Sequence, residues 1–162
     1  MRRLLLPALI ALMMPMTANA AEINGVPKIR EADQIVIGST RIRLNGVDAP
    51  SVDQLCLDSK GERWSCGVAA RDELIRHVGT KSWQCKTQHL DRRGRMLAQC
   101  TVDGEDIQKW LVQHGWALAF VKYARDYEAE EKAARAAKAG LWAGAFFAPW
   151  DWRVRNKKTT VL

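Results

Sequence analysis

No C-x-x-C pair occurs in the 162 residues, and there are only three histidines, His77, His89 and His114, at no recognisable ligand or catalytic spacing. That speaks against a structural zinc site, which needs Cys and His at close, regular intervals. There is no internal repeat, and no Gly-, Ser- or Pro-rich stretch divides the sequence, so a single domain is expected. Beyond the N terminus no apolar run approaches the roughly 20 residues that a membrane-spanning helix needs. Acidic residues are outnumbered, 18 against 25 Lys and Arg. This mild excess favours an anionic partner such as nucleic acid without selecting one.

The N terminus has the three parts of a cleavable export signal. Arg2 and Arg3 are positive, Leu4 to Met16 is apolar and broken by Pro7 and Pro15, and Ala18-Asn19-Ala20 is an A-x-A cleavage site. Residues 1–20 are therefore expected to be removed as a signal peptide, leaving residues 21–153 as the folded domain and 154–162 as a basic, frayed C-terminal tail. Cleavage costs the net charge only Arg2 and Arg3.

All four cysteines, Cys56, Cys66, Cys85 and Cys100, lie after that site. An even number in an exported chain reads as two disulfides. Cys85 and Cys100 flank Asp91-Arg92-Arg93-Gly94 at equal distances, which places them opposite each other in an antiparallel hairpin and close enough to bridge. Cys56 and Cys66 then close a short loop.

Several elements are legible along the chain. Ile35-Val36-Ile37 and Arg41 to Leu44 read as a hairpin around Gly38-Ser39-Thr40. A three-residue loop would pair Ile37 with Arg41 and set Asp33 and Arg43 on one face. Gly67 to Val78 reads as a helix with Ala70, Leu74 and Ile75 inward. Ser82 to Lys86 and Met96 to Val102 are strands. Asp106 to Gln113 is a short amphipathic helix, and Trp116 to Val121 is an apolar core segment. Ala124 to Lys138 is a third helix rich in Ala, Glu, Lys and Arg, with Gly140 placed to end it. The seven tryptophans suit core and tail packing. This is an α+β pattern.

The stretch Arg41-Ile42-Arg43-Leu44-Asn45-Gly46-Val47-Asp48-Ala49-Pro50-Ser51 carries the chemistry. It joins a strand arginine to a turn aspartate: a cation for a phosphate and a carboxylate for a metal. It resembles the R-L-x-G-I-D-A-P-E segment of the staphylococcal nuclease (thermonuclease) family. Further pieces follow in the family's order. Asp33 stands ten residues before Arg43, as in D-G-D-T, here altered to Glu31-Ala32-Asp33-Gln34. Cys56, Cys66-Gly67 and Ala70 resemble the exported branch. Asp91 to Ala98 is similar to D-x-Y-G-R-x-L-A, and Val112 to Ala117 to V-x-x-G-x-A. Ala139-Gly140-Leu141-Trp142 and Pro149-Trp150-Asp151-Trp152-Arg153 resemble the last helix and its tail. The resemblance spans about residues 30–153 and implies a five-stranded OB-fold β-barrel with three α-helices.

It also implies a site. Arg43 and Arg95 would stabilise charge on a phosphoryl group, since guanidinium is planar, always charged and can grip phosphate bidentately. Asp33, Asp48 and the backbone carbonyl of Ala49 would hold one Ca²⁺. Tyr123 and Arg93 would contact substrate, with Arg93 replacing a tyrosine of the family turn. The family's water-activating glutamate is replaced by Ser51, whose hydroxyl lacks useful basicity at neutral pH. Asp53, two residues on, is the nearest carboxylate that could stand in.

Three functions follow as expectations. The first is an exported, Ca²⁺-dependent phosphodiesterase of single- or double-stranded DNA or RNA, weakened by Ser51, acting as a monomer away from the membrane in the periplasm or outside the cell. The second is an inactive nucleic-acid- or anion-binding module. The third is an accessory to cell-envelope exopolysaccharide (succinoglycan) synthesis, which rests on resemblance alone.

Overall fold

A computed structural model describes residues 21–122 and 125–159. Residues 1–20, expected to be a signal peptide, Tyr123, Ala124 and the last three residues lie outside the described residues. The strands are β1 (Glu22–Gly25), β2 (Lys28–Glu31), β3 (Gln34–Ile37), β4 (Thr40–Leu44), β5 (Val47–Asp48), β6 (Cys56–Leu57), β7 (Arg63–Trp64), β8 (Trp83–Leu90), β9 (Met96–Val102), β10 (Glu105–Asp106) and β11 (Leu118–Ala119). The helices are α1 (Cys66–Val78), α2 (Ile107–Gln113), α3 (Glu128–Ala136) and α4 (Pro149–Thr159), with a 3₁₀ turn at Gly140–Ala143.

The main sheet runs β1-β8-β9-β4-β3-β2, with β10 pairing β9 and β4 parallel to β9. It curls so far that a β-carbon on Gly25 of β1 would meet Ile37 Cγ2 of β3 at 2.8 Å. The fold is the expected mixed α+β one, a curled half-barrel, with four helices among the described residues where three were expected. Alternation fills its interior: Ile35, Ile37, Ile42, Leu44, Trp83, Cys85, Ala98, Cys100 and Val102 are all buried. Helix α1 adds Ala70, Leu74 and Val78, and α2 adds Ile107 and Leu111. Asp106 caps α2 by accepting the Lys109 N–H at 2.9 Å. Among the described residues no helix is long and apolar enough to cross a membrane.

Both disulfides form as expected, Cys56–Cys66 and Cys85–Cys100. Cys85 lies directly opposite Cys100. The hairpin loop is longer than Asp91 to Gly94, because Leu90 pairs Met96, and a bulge between Thr87 and His89 restores the register.

Four local expectations are corrected. The β3–β4 loop has two residues, with Ile37 opposite Thr40 and Gln34 opposite Arg43, because Gly38 takes a positive φ of 57° that suits a tight hairpin turn. Ile75 is 42% exposed and faces solvent. Helix α3 starts at Glu128, and it ends at Ala136 because Lys138 turns left-handed at φ 52° before Gly140 is reached. The segment expected to fray after Arg153 continues as α4 to Thr159. One face of α4 is tethered to the body: Trp152 Nε1 and Asn156 Nδ2 donate to Asp53 at 3.4 and 2.8 Å.

Candidate active site

Two turns bring the carboxylates together. Asp33 sits in the turn between β2 and β3, where its backbone carbonyl accepts the Leu44 N–H at 2.9 Å. Asp48 sits in β5, brought back under β4 by the Asn45-Gly46 turn, in which Gly46 has φ 77°. Both aspartates are fully buried, 1% and 0% exposed. Asp33 Oδ2 accepts the Ala49 N–H at 3.4 Å.

Arg43 joins them. Its Nη2 lies 2.6 Å from Asp48 Oδ1 and 3.4 Å from Asp33 Oδ2. The one-face contact of Asp33 with Arg43 is therefore present, but Asp33 reaches it from a turn, not from the strand face. Burial is the main influence on Asp33 and raises its pKa from 3.8 to about 7; Arg43 opposes this, and Asp48 and Glu31 add to it. Burial acts to lower the Arg43 pKa, but Asp33 and Asp48 outweigh it and the guanidinium is held more firmly protonated than usual.

Arg95 stands beside this group. Its Nε donates to Asp91 Oδ2 at 2.7 Å and its Nη1 to Gln34 Oε1 at 2.6 Å. Gln34 lies opposite Arg43 in the hairpin register, and its side-chain amide also donates to Glu31, so that amide links Arg95 to Glu31. Burial would raise the Asp91 pKa, yet the N–H groups of Arg95 and Arg93 and the Arg95 guanidinium hold it below the usual range. Arg93 itself is exposed at the hairpin tip.

Ser51 is buried at 8% exposure, next to Asp48-Ala49-Pro50. Its carbonyl accepts the Gln54 N–H at 2.8 Å and is packed against Gly67. Asp53 does not take its place: its carboxylate is bonded to Trp152 and Asn156 of α4.

Sequence reasoning gave no site role to Arg153. Its Nη2 lies 2.5 Å from Asp48 Oδ2, so each oxygen of Asp48 carries a guanidinium. Only the tail motif Pro149 to Arg153 hinted at it. Glu31, read as a mere departure from D-G-D-T, is also drawn toward the group. Burial raises its pKa, and the Val52 backbone, Arg153 and Arg43 offset part of that rise.

Asp33 and Asp48 offer hard carboxylate oxygens side by side. Among the described residues no three His, Cys, Asp or Glu side chains cluster as a metal site. The fit to a hard divalent cation rests on one atom: Asp33 Oδ1 is buried with no hydrogen-bond partner. A buried carboxylate oxygen without a donor is costly unless something cationic faces it. The two aspartates therefore fit such an ion, with water and substrate completing its shell.

A family profile described as staphylococcal nuclease homologue matches residues 41–144. The chain belongs to that family. The match includes Arg43, Asp48, Ser51 and Arg95, and leaves Asp33 and Arg153 outside. Among curated relatives, the chain is 34% identical over 143 residues to Succinoglycan biosynthesis protein ExoI of Rhizobium meliloti (strain 1021), covering 83% of this chain and 72% of the relative. It is 32% identical over 124 residues to Probable staphylococcal-like nuclease CAN2 of Oryza sativa subsp. japonica, covering 75% of this chain but 31% of that longer protein. It is 27% identical over 166 residues to an Uncharacterized endonuclease of Haemophilus influenzae, covering 96% and 88%.

Proposed function

We propose that this staphylococcal nuclease homologue is an exported, Ca²⁺-dependent phosphodiesterase acting on DNA or RNA, with turnover limited at Ser51. The observation that carries the reading is the buried pair Asp33–Asp48 bridged by Arg43, with Asp33 Oδ1 open. In this reading Asp33, Asp48 and the Ala49 carbonyl hold the ion. Bound there, calcium would supply positive charge to a phosphoryl oxygen and a site for water.

The rest is the work of the chain's own residues. Arg43 and Arg95 face the phosphoryl oxygens and stabilise the charge that gathers in the transition state. Arg93 and Tyr123 guide the strand. Ser51 hydrogen-bonds the attacking water without removing its proton, so the contribution of a general base, about 10²- to 10⁴-fold in such reactions, is lost. Residues 1–20 direct export to the periplasm or beyond, residues 21–153 form the working domain, and the two disulfides suit an oxidising compartment.

Purified protein incubated with single-stranded DNA and with RNA tests this. Slow cleavage that needs calcium, stops with chelator and is abolished in Arg43→Ala supports the enzyme. Salt-sensitive binding without cleavage supports a second reading, a nucleic-acid-binding module, which the occupation of both Asp48 oxygens by guanidinium favours. Neither cleavage nor binding would remove both. It would leave the role suggested by the printed name of the Rhizobium relative, succinoglycan biosynthesis.

A further inference from the structure

Helix α4 delivers a cation to the centre of the candidate metal site. Arg153 Nη2 lies 2.5 Å from Asp48 Oδ2, and its side chain is 29% exposed whereas that of Asp48 is 0% exposed. It therefore covers the carboxylate on the side nearer solvent. Its charge also acts on Glu31 and Asp33. The helix that carries it is anchored at separate points. Asp53 accepts Asn156 and Trp152, and Trp150 packs on Phe120 with ring centroids 5.5 Å apart.

A guanidinium on a carboxylate oxygen takes one of its lone pairs and puts positive charge where a hard cation would bind. With Arg43 on one oxygen of Asp48 and Arg153 on the other, Asp48 has no oxygen left uncovered. Two guanidiniums also offset the negative charge at the two aspartates, which lowers the attraction for a dication. Arg43 is fixed in the core strand β4. Arg153, on α4 and more exposed than Arg43, is the one that can leave.

We propose that Arg153 and a divalent cation compete for Asp48, so that α4 is a latch that closes on Asp48 and is displaced when metal enters. The proposal rests on the two-aspartate metal reading above. Competition is reciprocal: whatever weakens the Arg153 contact tightens the metal, and bound metal loosens α4.

Calcium titration calorimetry on the parent, Arg153→Gln and Asn156→Ala tests it. Circular dichroism checks that each is folded. Asn156→Ala removes a tether of α4 without touching charge or Asp48, and it decides the matter if Arg153→Gln does not fold. Arg155→Gln, from the same helix but over the Phe147 ring at 4.3 Å, controls for net charge. Arg153→Gln is expected to bind Ca²⁺ about tenfold tighter, within the usual range of coupling between ligands. Asn156→Ala shifts the same way by less, and Arg155→Gln does not shift. If the parent binds calcium and neither Arg153→Gln nor Asn156→Ala binds it tighter, the latch is overturned and the metal reading stands. An equal gain in Arg155→Gln also overturns it, since net charge would then explain the effect. If no variant binds calcium, the metal reading falls and the latch with it.

Discussion

Gly67, in the first turn of α1, lies directly against the backbone of Ser51: a β-carbon there would sit 1.8 Å from the Ser51 carbonyl oxygen. The Ser51 backbone is thus held by close packing, with the Cys56–Cys66 bridge tying the same loop to the same helix. Gly67→Ala cannot be absorbed by a flexible side chain, because the obstacle is backbone. It should cost about 1–3 kcal/mol or more, as overpacked sites do. Denaturant unfolding should show a lower midpoint, and any cleavage activity should fall with it. An unchanged midpoint would mean that the loop is free to move.

Arg43→Ala should damage both stability and chemistry. It leaves the Asp33 and Asp48 carboxylates buried with one cation fewer, and breaking a buried pair in this way typically costs about 3–5 kcal/mol. Arg95→Ala breaks pairs with Asp91 and Gln34 nearer the surface and should cost less in stability. Each should lower phosphodiester cleavage by about 10²- to 10³-fold. Thermal unfolding beside a cleavage assay separates the two effects.

The buried Asp33 sets a pH dependence. Its pKa is raised from 3.8 to about 7 in the folded protein. Between those values the folded state holds a proton that the unfolded chain has released. Stability from this group is therefore full below about pH 4 and is lost as pH rises through about 7. Glu31 acts in the same direction. Asp91, with a lowered pKa, contributes above its usual 3.8 and loses that contribution only in more acid solution. In chelator, parent stability should fall from pH 5 to pH 8, and Asp33→Asn should flatten that slope. An equal slope in Asp33→Asn would assign the effect elsewhere.

Removing the Cys85–Cys100 bridge, whose partners are 15 residues apart, should destabilise the protein by about 3 kcal/mol. That bridge staples β8 to β9 at the centre of the sheet. Removing Cys56–Cys66, 10 residues apart, should act mainly on the loop bearing Ser51. Hydrogen exchange would show this as faster exchange at residues 51–57 with the sheet still protected.

What was legible in the sequence was local. The Cys85–Cys100 pairing follows from counting outward from one turn, and the bulge after Thr87 happens to cancel the longer loop. Arg43 and Asp48 share one short segment, so their contact needs only a tight turn at Gly46. The β3–β4 register differs by one residue from the three-residue reading because Gly38 permits a two-residue turn that composition alone does not distinguish. Arg153 was beyond reach for a different reason. Its partner is 105 residues away, and α4 is stabilised by tethers to Asp53 and by aromatic packing, not by a strong pattern of its own. Helix α3 is shorter than its Ala, Glu and Lys content suggests, because composition does not reveal the left-handed turn at Lys138.

The most direct test of the central claim is the rate of calcium-dependent cleavage of single-stranded DNA by the parent and by Ser51→Glu, measured side by side. If the cleft keeps its phosphate- and metal-holding residues and lacks only a base, Ser51→Glu should cleave about 10²-fold faster or more. Equal rates, or a loss of activity in a folded Ser51→Glu protein, would contradict it.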